Sequence, residues 1–169
     1  MIQVASYIGL GANLGQPIAQ LQWAVKQLQQ LDNSQVVAVS RLYGSKPAIG
    51  SPSNQPDYVN AAVLLHTTLS PSQLLGKLQA IENNAGRVRL ERWGARSLDL
   101  DILLYENQQI NTPDLIIPHK ELVNRCFVVL PLLDINPTLT LPNSVKVANL
   151  ACASLSDDIH VLAEHNNWY

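Results

Sequence analysis

Charge and phenylalanine are both scarce in this chain. Of its 169 residues, Asp, Glu, Lys and Arg make up 14%, and Phe127 is the one phenylalanine. So few charges beside 47% hydrophobic residues exclude a disordered or coiled-coil chain and require that much of the apolar content be buried. The formal net charge of -2 gives no general attraction for nucleic acid or anionic membranes, so an anion site has to be a local arginine cluster. No apolar run is long enough to span a bilayer, and no basic segment leads into a signal-like apolar stretch. The expectation is a cytoplasmic protein with no membrane partner, in which Cys126 and Cys152 are free thiols serving as small buried hydrophobes. A Walker A loop is missing too: "GLGANLG", residues 9–15, lacks the lysine-serine ending and reads as a turn. His66, His160 and His165 show no metal-ligand spacing. The length suits one domain over residues 1–169.

What is present has a legible order. "IQVASYIGL" from Ile2 reads as a strand, and an apolar face of Leu21, Ala24, Val25, Leu28 and Leu31 predicts a helix from Pro17. "QVVAVSRLY" from Gln35 is a second strand, followed by a long loop at 44–57 rich in proline, glycine and serine, and long ordered loops in small domains are often functional. A third strand opens at Tyr58. Ser70 and Pro71 start a second helix that buries Leu74, Leu75, Leu78 and Ile81 and stops at Gly86. After an arginine loop at 87–96, a fourth strand runs from Leu98 to Tyr105. The β-α-β-β-α-β order predicts an α+β, ferredoxin-like core: a four-stranded antiparallel sheet with both helices on one face. A C-terminal extension of short strands, a short helix and a final helix near 145–154 follows.

Strand parity carries this plan toward function. Leu98, Leu100, Ile102 and Leu104 share the face that meets the helices, which sends Asp99, Asp101 and Tyr105 to the other. Tyr58 and Asn60 on the third strand, and Tyr7, Gly9 and Gly11 on the first, join that helix-free face, where the glycines would let a ligand come close to the backbone. Asp99 and Asp101 sit with Cα atoms roughly 6.6 Å apart, so their carboxylates can converge on hard cations such as Mg²⁺, although such a pair could equally be solvated. Four of the six arginines, Arg87, Arg89, Arg92 and Arg96, immediately precede the strand. Arginine forks grip phosphate, and acids for a metal beside arginines for phosphate suit transfer from a nucleoside triphosphate. The alternative is internal ion pairing with Glu82, Glu91 or the aspartates. Trp93 could cover such a site or pack back on the body, and Gln79 and Glu82 could serve the loop or simply line the helix surface. His119 and Arg125, the latter just before Phe127, form a second polar and aromatic group.

In their order within residues 7–133, "YIGLGANLG", "NQPDYVNAAV", "GRVRLERWGARSLDLDILLY", "IPHKEL" and "NRCFVVLPL" resemble the 6-hydroxymethyl-7,8-dihydropterin pyrophosphokinases of folate biosynthesis. The resemblance implies a ferredoxin-like enzyme that transfers the β,γ-pyrophosphoryl group of ATP to the pterin hydroxymethyl group and releases AMP. It implies two Mg²⁺ ions held with ATP by Asp99 and Asp101, and catalytic roles for Arg87 and Arg96. Arg89, Arg92 and Trp93 match the loop that covers the substrates, and with Gln79, Glu82, Ile102, His119 and Arg125 they make the expected ATP site. Tyr58, Asn60 and Phe127 match the pterin pocket, where two rings sandwich the bicycle, and Ser45 and Pro47 line it largely through backbone groups. Ala12, Ala95, Asp114 and Ile116 depart from the family pattern. The expected partners are ATP and hydroxymethyldihydropterin, with no nucleic acid, and the expected state is a monofunctional monomer. Two rival classes are a nucleotidyltransferase using Asp-x-Asp, which would release pyrophosphate, and an RNA-recognition module, which wants more stacked aromatics and a basic surface.

Overall fold

The computed structural model describes residues 2–47, 55–85, 97–154, 157–164 and 167–169. Strand β1 (Val4–Ala12) leads into α1 (Pro17–Gln29), which begins on proline and buries Leu21, Ala24, Val25 and Leu28. Strands β2 (Ser34–Val39), β3 (Leu42–Ser45) and β4 (Tyr58–Thr67) follow. Helix α2 (Pro71–Asn84) starts from a capping box in which Ser70 and Gln73 each accept the other's backbone N–H, at 3.2 and 2.9 Å. Strand β5 (Asp99–Tyr105) completes the expected core, and its neighbours run antiparallel in the order β5-β1-β4. Both helices lie on one face: Leu21, Leu28, Leu74 and Leu78 share a core with Ile8, Leu10, Val63, Leu65, Leu100 and Ile102.

The sheet is wider than the expected four strands. The second strand is split into β2 and β3, and β8 (Ile159–Ala163) adds to β3, giving six strands. The split has a cause at Ser40. Its fully buried hydroxyl accepts the N–H of Ala62 at 2.8 Å, a place a backbone carbonyl would take in a continuous ladder. The Ser40 N–H still donates to the Ala62 carbonyl, and the Trp168 indole donates to the Ser40 carbonyl at 3.0 Å.

A second departure lies in β5. Tyr7 pairs with Leu104 but Ile8 pairs with Ile102, so Leu103 is an extra residue, a β-bulge. Parity therefore holds from Asp99 to Ile102 and reverses beyond it. Leu103 and Leu104 join Tyr7 in a second core on the opposite face, whereas Tyr105 enters the main core and donates from its hydroxyl to the Leu69 carbonyl at 2.6 Å. The expected places of Leu104 and Tyr105 are thus exchanged.

That opposite face is not helix-free either. Helix α3 (Cys126–Ile135) covers part of it, burying Val128, Val129, Leu130, Pro131 and Leu132, with Leu122, Leu139, Leu141 and Val147 completing the second core. A small ladder of β6 (Ile110–Asn111) and β7 (Ile116–Ile117) precedes it. The helix expected near 145–154 is a single 3-10 turn at Val147–Asn149. The chain folds back just before it, through Ser144 at φ 69°, so that Thr140 bridges Lys146 and Val147 donates to the Leu139 carbonyl. Cys126 and Cys152 are joined in a disulfide rather than free, with Cα atoms 4.5 Å apart, because that fold-back returns the chain to the start of α3.

Candidate active site

The part of the second face that α3 leaves uncovered carries the polar residues, and strand register fixes their arrangement. Gly11 stands opposite Asn60 of β4 on one side and Asp99 of β5 on the other, while Gly9 stands between Ala62 and Asp101. Tyr43 faces Asn60, and Ser45 faces Tyr58. Directly paired residues point to the same side, so Asp99, Asp101, Asn60, Tyr58, Ser45 and Tyr43 share this face. Strands are about 4.8 Å apart, which places Asn60 and Asp99 on a row about 10 Å wide with a glycine between them.

The row is tightly held on the β4 side. Asn60 is buried, and its Nδ2 donates to Ser45 Oγ at 2.7 Å. A Cβ at Gly11 would lie 3.3 Å from Asn60 Oδ1, so glycine leaves that oxygen room over the strand. The space above Gly9 is different: Leu103, displaced by the bulge, already lies 3.2 Å from where a Cβ would be. The near neighbour is thus the polar Asn60 beside Gly11 and the apolar Leu103 beside Gly9, and both glycines remain partly exposed. Pro47, two residues beyond Ser45, is half-buried.

On the β5 side, Asp99 is half-buried and Asp101 exposed. Between them the Leu100 N–H donates to the buried carboxylate of Glu82 at 3.0 Å, so this α2 side chain anchors the strand that presents the pair. His119 follows the cis Ile117–Pro118 bond, and its N–H donates to the Leu103 carbonyl at 3.0 Å. Its Nδ1 accepts the Glu121 N–H at 3.2 Å, which leaves the proton of the neutral ring on Nε2. Burial is the main influence on His119 and holds it below the ordinary histidine range; the negative charge of Asp101 opposes this shift and the positive charge of Arg125 adds to it. These fields place Asp101, His119 and Arg125 in one neighbourhood. The Arg125 guanidinium carbon lies 5.7 Å from the Phe127 ring centroid, a cation–π contact, and Phe127 is half-buried between the second core and Tyr43.

Two further residues expected at the ATP site are on the other side of the sheet by their side chains. The Ile102 side chain is in the main core, and Gln79 is exposed on α2, on the helix side of the sheet. Arg87, Arg89, Arg92, Trp93 and Arg96 lie outside the described residues. Asn13, within the stretch expected to be a turn, has a clear role. It is 2% exposed and donates to Gln55 Oε1 at 2.8 Å and the Pro56 carbonyl at 3.0 Å, fixing the approach to Tyr58. Its only signal in the sequence is an amide between Gly11 and Gly15. A groove of about 510 Å³ lined by Gln16, Gln20, Trp23 and Asn84 lies on the helix side, away from this face. Among the described residues no three His, Cys, Asp or Glu side chains are grouped to hold a metal. Asp99 and Asp101 offer carboxylate oxygens on one face, a donor set that suits a hard cation completed by water and phosphate oxygens.

The profile of the 7,8-dihydro-6-hydroxymethylpterin-pyrophosphokinase family matches residues 7–137, which span the acidic pair, the Asn60 row and all of α3. The chain belongs to this family. It is 51% identical over 147 residues to the 2-amino-4-hydroxy-6-hydroxymethyldihydropteridine pyrophosphokinase of Haemophilus influenzae, covering 87% of this chain and 91% of that one. The enzyme of the same name from Pseudomonas aeruginosa is 45% identical over 147 residues, covering 87% and 90%. Among solved structures, Plasmodium falciparum HPPK-DHPS with pterin and p-hydroxybenzoate superposes with a TM-score of 0.71 at 13% identity, over 94% of this chain and 46% of that longer one. A further HPPK-DHPS structure, in complex with substrates, gives 0.69 at 13% identity over 90% and 43%. At such identity the likeness is one of fold. As a family member the chain is an enzyme, a pterin pyrophosphokinase of folate biosynthesis, and the ferredoxin-like plan expected from its element order is the plan of its core.

Proposed function

We propose that the face bearing Asp99, Asp101 and Asn60 is where this pterin pyrophosphokinase transfers the β,γ-pyrophosphoryl group of ATP to the hydroxymethyl oxygen of 6-hydroxymethyl-7,8-dihydropterin. The observation that carries the reading is the single row Asn60–Gly11–Asp99, which puts an amide for a heterocycle and a carboxylate for a metal–phosphate group on either side of a bare strand. Tyr58 and Phe127 are the rings for the bicycle, and the Asn60 amide, held by Ser45, meets its polar edge. With its proton on Nε2, neutral His119 donates to a phosphate oxygen, and Arg125 supplies fixed positive charge beside it. Asp99 and Asp101 are assigned as ligands of two Mg²⁺ ions, which when bound neutralise phosphate charge. Arg87 and Arg96 are assigned to the transferring phosphates, and Arg89, Arg92 and Trp93 to the nucleotide, with Glu82 bracing β5 from behind. The chain's own contribution is alignment: the pterin hydroxyl is held in line with the β-phosphorus, its oxygen bonds to that phosphorus as its proton passes to solvent, the bond from the phosphorus to the α,β-bridging oxygen breaks, and AMP leaves. We also take the enzyme to work as a cytoplasmic monomer without nucleic acid. The low net charge supports the last of these, and among the described residues no helix is long and apolar enough to cross a membrane.

The test is incubation with ATP, Mg²⁺ and the hydroxymethyldihydropterin. AMP and the pterin diphosphate are expected in equal amounts; ADP as product, or pyrophosphate in place of AMP, would reject the reading. Asp99→Ala should abolish turnover while thermal unfolding stays within about 1 kcal/mol of the parent, since the side chain is only half-buried.

A further inference from the structure

We propose that Asp134 is a positioning residue for the pterin pocket, acting through Tyr43 on Phe127 and Asn60; this rests on the pocket assigned above. The Asp134 side chain is 8% exposed and collects donors from Tyr43 of β3 and from Arg41 just before that strand. Its Oδ2 accepts the Tyr43 hydroxyl at 2.7 Å and the Arg41 backbone N–H at 3.1 Å. The Arg41 guanidinium reaches both carboxylate oxygens at 3.0–3.2 Å and also donates to the Tyr43 oxygen at 3.0 Å. The exposed Glu164 stands 3.9 Å from the outer side of Arg41.

What this cluster joins gives it a functional meaning. Tyr43 is fully buried, faces the pocket side directly opposite Asn60, and packs with Leu130, Ile159 and Phe127. Two residues further along β3, Ser45 holds the Asn60 amide. On α3, Phe127, Leu130 and Asp134 are three and four residues apart and share one face of the helix, so Asp134 anchors the same face that ends in the Phe127 ring. Pro131 lies between them and has no N–H to give the Phe127 carbonyl, so the backbone ladder holds that first turn less firmly than in an unbroken helix. The side-chain tie from Asp134 to β3 makes up for it. It sets the separation of the two walls, one bearing Phe127 and the other Ser45 and Asn60. Burial, reinforced by the hydrogen bond to Asp134, pushes the Tyr43 hydroxyl well above the ordinary tyrosine range, so it remains a donor wherever the protein is folded.

Tyr43→Phe keeps the ring and deletes the bond, and Asp134→Asn keeps the shape and deletes the charge. Steady-state kinetics of AMP formation, with pterin and ATP varied separately, should show KM for the pterin raised about tenfold in each variant, the loss expected for a hydrogen bond to a charged group. KM for ATP should not move. Thermal unfolding verifies that each variant is folded, and if Asp134→Asn is not, Tyr43→Phe decides alone, because it leaves the Arg41–Asp134 pair in place. An unchanged pterin KM in a folded variant, or an equal rise in both KM values, overturns the positioning role. Absence of AMP formation by the parent protein would instead remove the pocket reading on which it stands.

Discussion

Substitution at Gly11 and at Gly9 should affect different properties, pterin binding at the first and folding at the second. In Gly11→Ala, the new methyl would lie 3.3 Å from Asn60 Oδ1, inside the about 3.5–4.0 Å optimum for non-bonded contact. Neither partner moves freely, since Gly11 is paired on both sides and Asn60 is tied to Ser45 at 2.7 Å. Overpacking of this kind costs about 1–3 kcal/mol, and the softest response is rotation of the Asn60 amide at the expense of its hydrogen bond. About 1–2 kcal/mol of lost alignment corresponds to a five- to thirtyfold weaker grip on the pterin. Gly9→Ala places its methyl 3.2 Å from a methyl of Leu103, whose side chain is buried in the second core. Its effect should fall on folding: roughly 1–3 kcal/mol, with about 2–4 °C of Tm for each kcal/mol in a chain of this size. Pterin KM and calorimetric Tm measured on both variants provide the assay. If Gly11→Ala lowers Tm without raising KM, or Gly9→Ala raises KM as much as Gly11→Ala does, the assignment of the Gly11 row to the substrate is wrong.

Other outcomes follow from single contacts. Ser40→Ala should lose about 1–3 kcal/mol, because it strands the Ala62 N–H inside the sheet, and amide hydrogen exchange should report faster opening at Ala62 in particular. His119 is held below its ordinary value, so the folded protein takes up its proton less readily than the unfolded chain does. Its stabilising contribution is complete above about pH 6.5 and is lost as pH falls through its folded value. Thermal unfolding between about pH 7.5 and 5 should therefore show a steeper decline in the parent than in His119→Gln, and parallel curves would refute the buried neutral ring.

The residues themselves explain how much of this could be read in advance. Apolar spacing found both helices of the core, and Ser70–Pro71 and Pro17 marked their starts, because these are local effects written within a few residues. Parity located Asp99, Asp101, Tyr58 and Asn60 on one face because regular alternation holds on β4 and on the first half of β5. It failed past Ile102 because a bulge depends on what the strand packs against, here Leu103 and Leu104 against Leu122 and Val129, and nothing local announces it. The same is true of α3. Its apolar run is ambiguous between strand and helix, and only its burial between the sheet and the fold-back at 139–147 gives it a place. Asn13, Tyr43 and Asp134 escaped notice because each acts through a partner 42 to 93 residues away.

The bulge at Leu103 also has an evolutionary side. It divides β5 into two segments that answer to different demands: upstream, the acidic pair keeps register with Gly9 and Gly11; downstream, Leu104 and Tyr105 serve two separate cores. A gain or loss of one residue at this point alters the face of everything after it and nothing before it. Selection can thus remodel the packing under the C-terminal half while Asp99 and Asp101 stay in step, and laboratory insertions placed there should be better tolerated than the same insertions at Leu100.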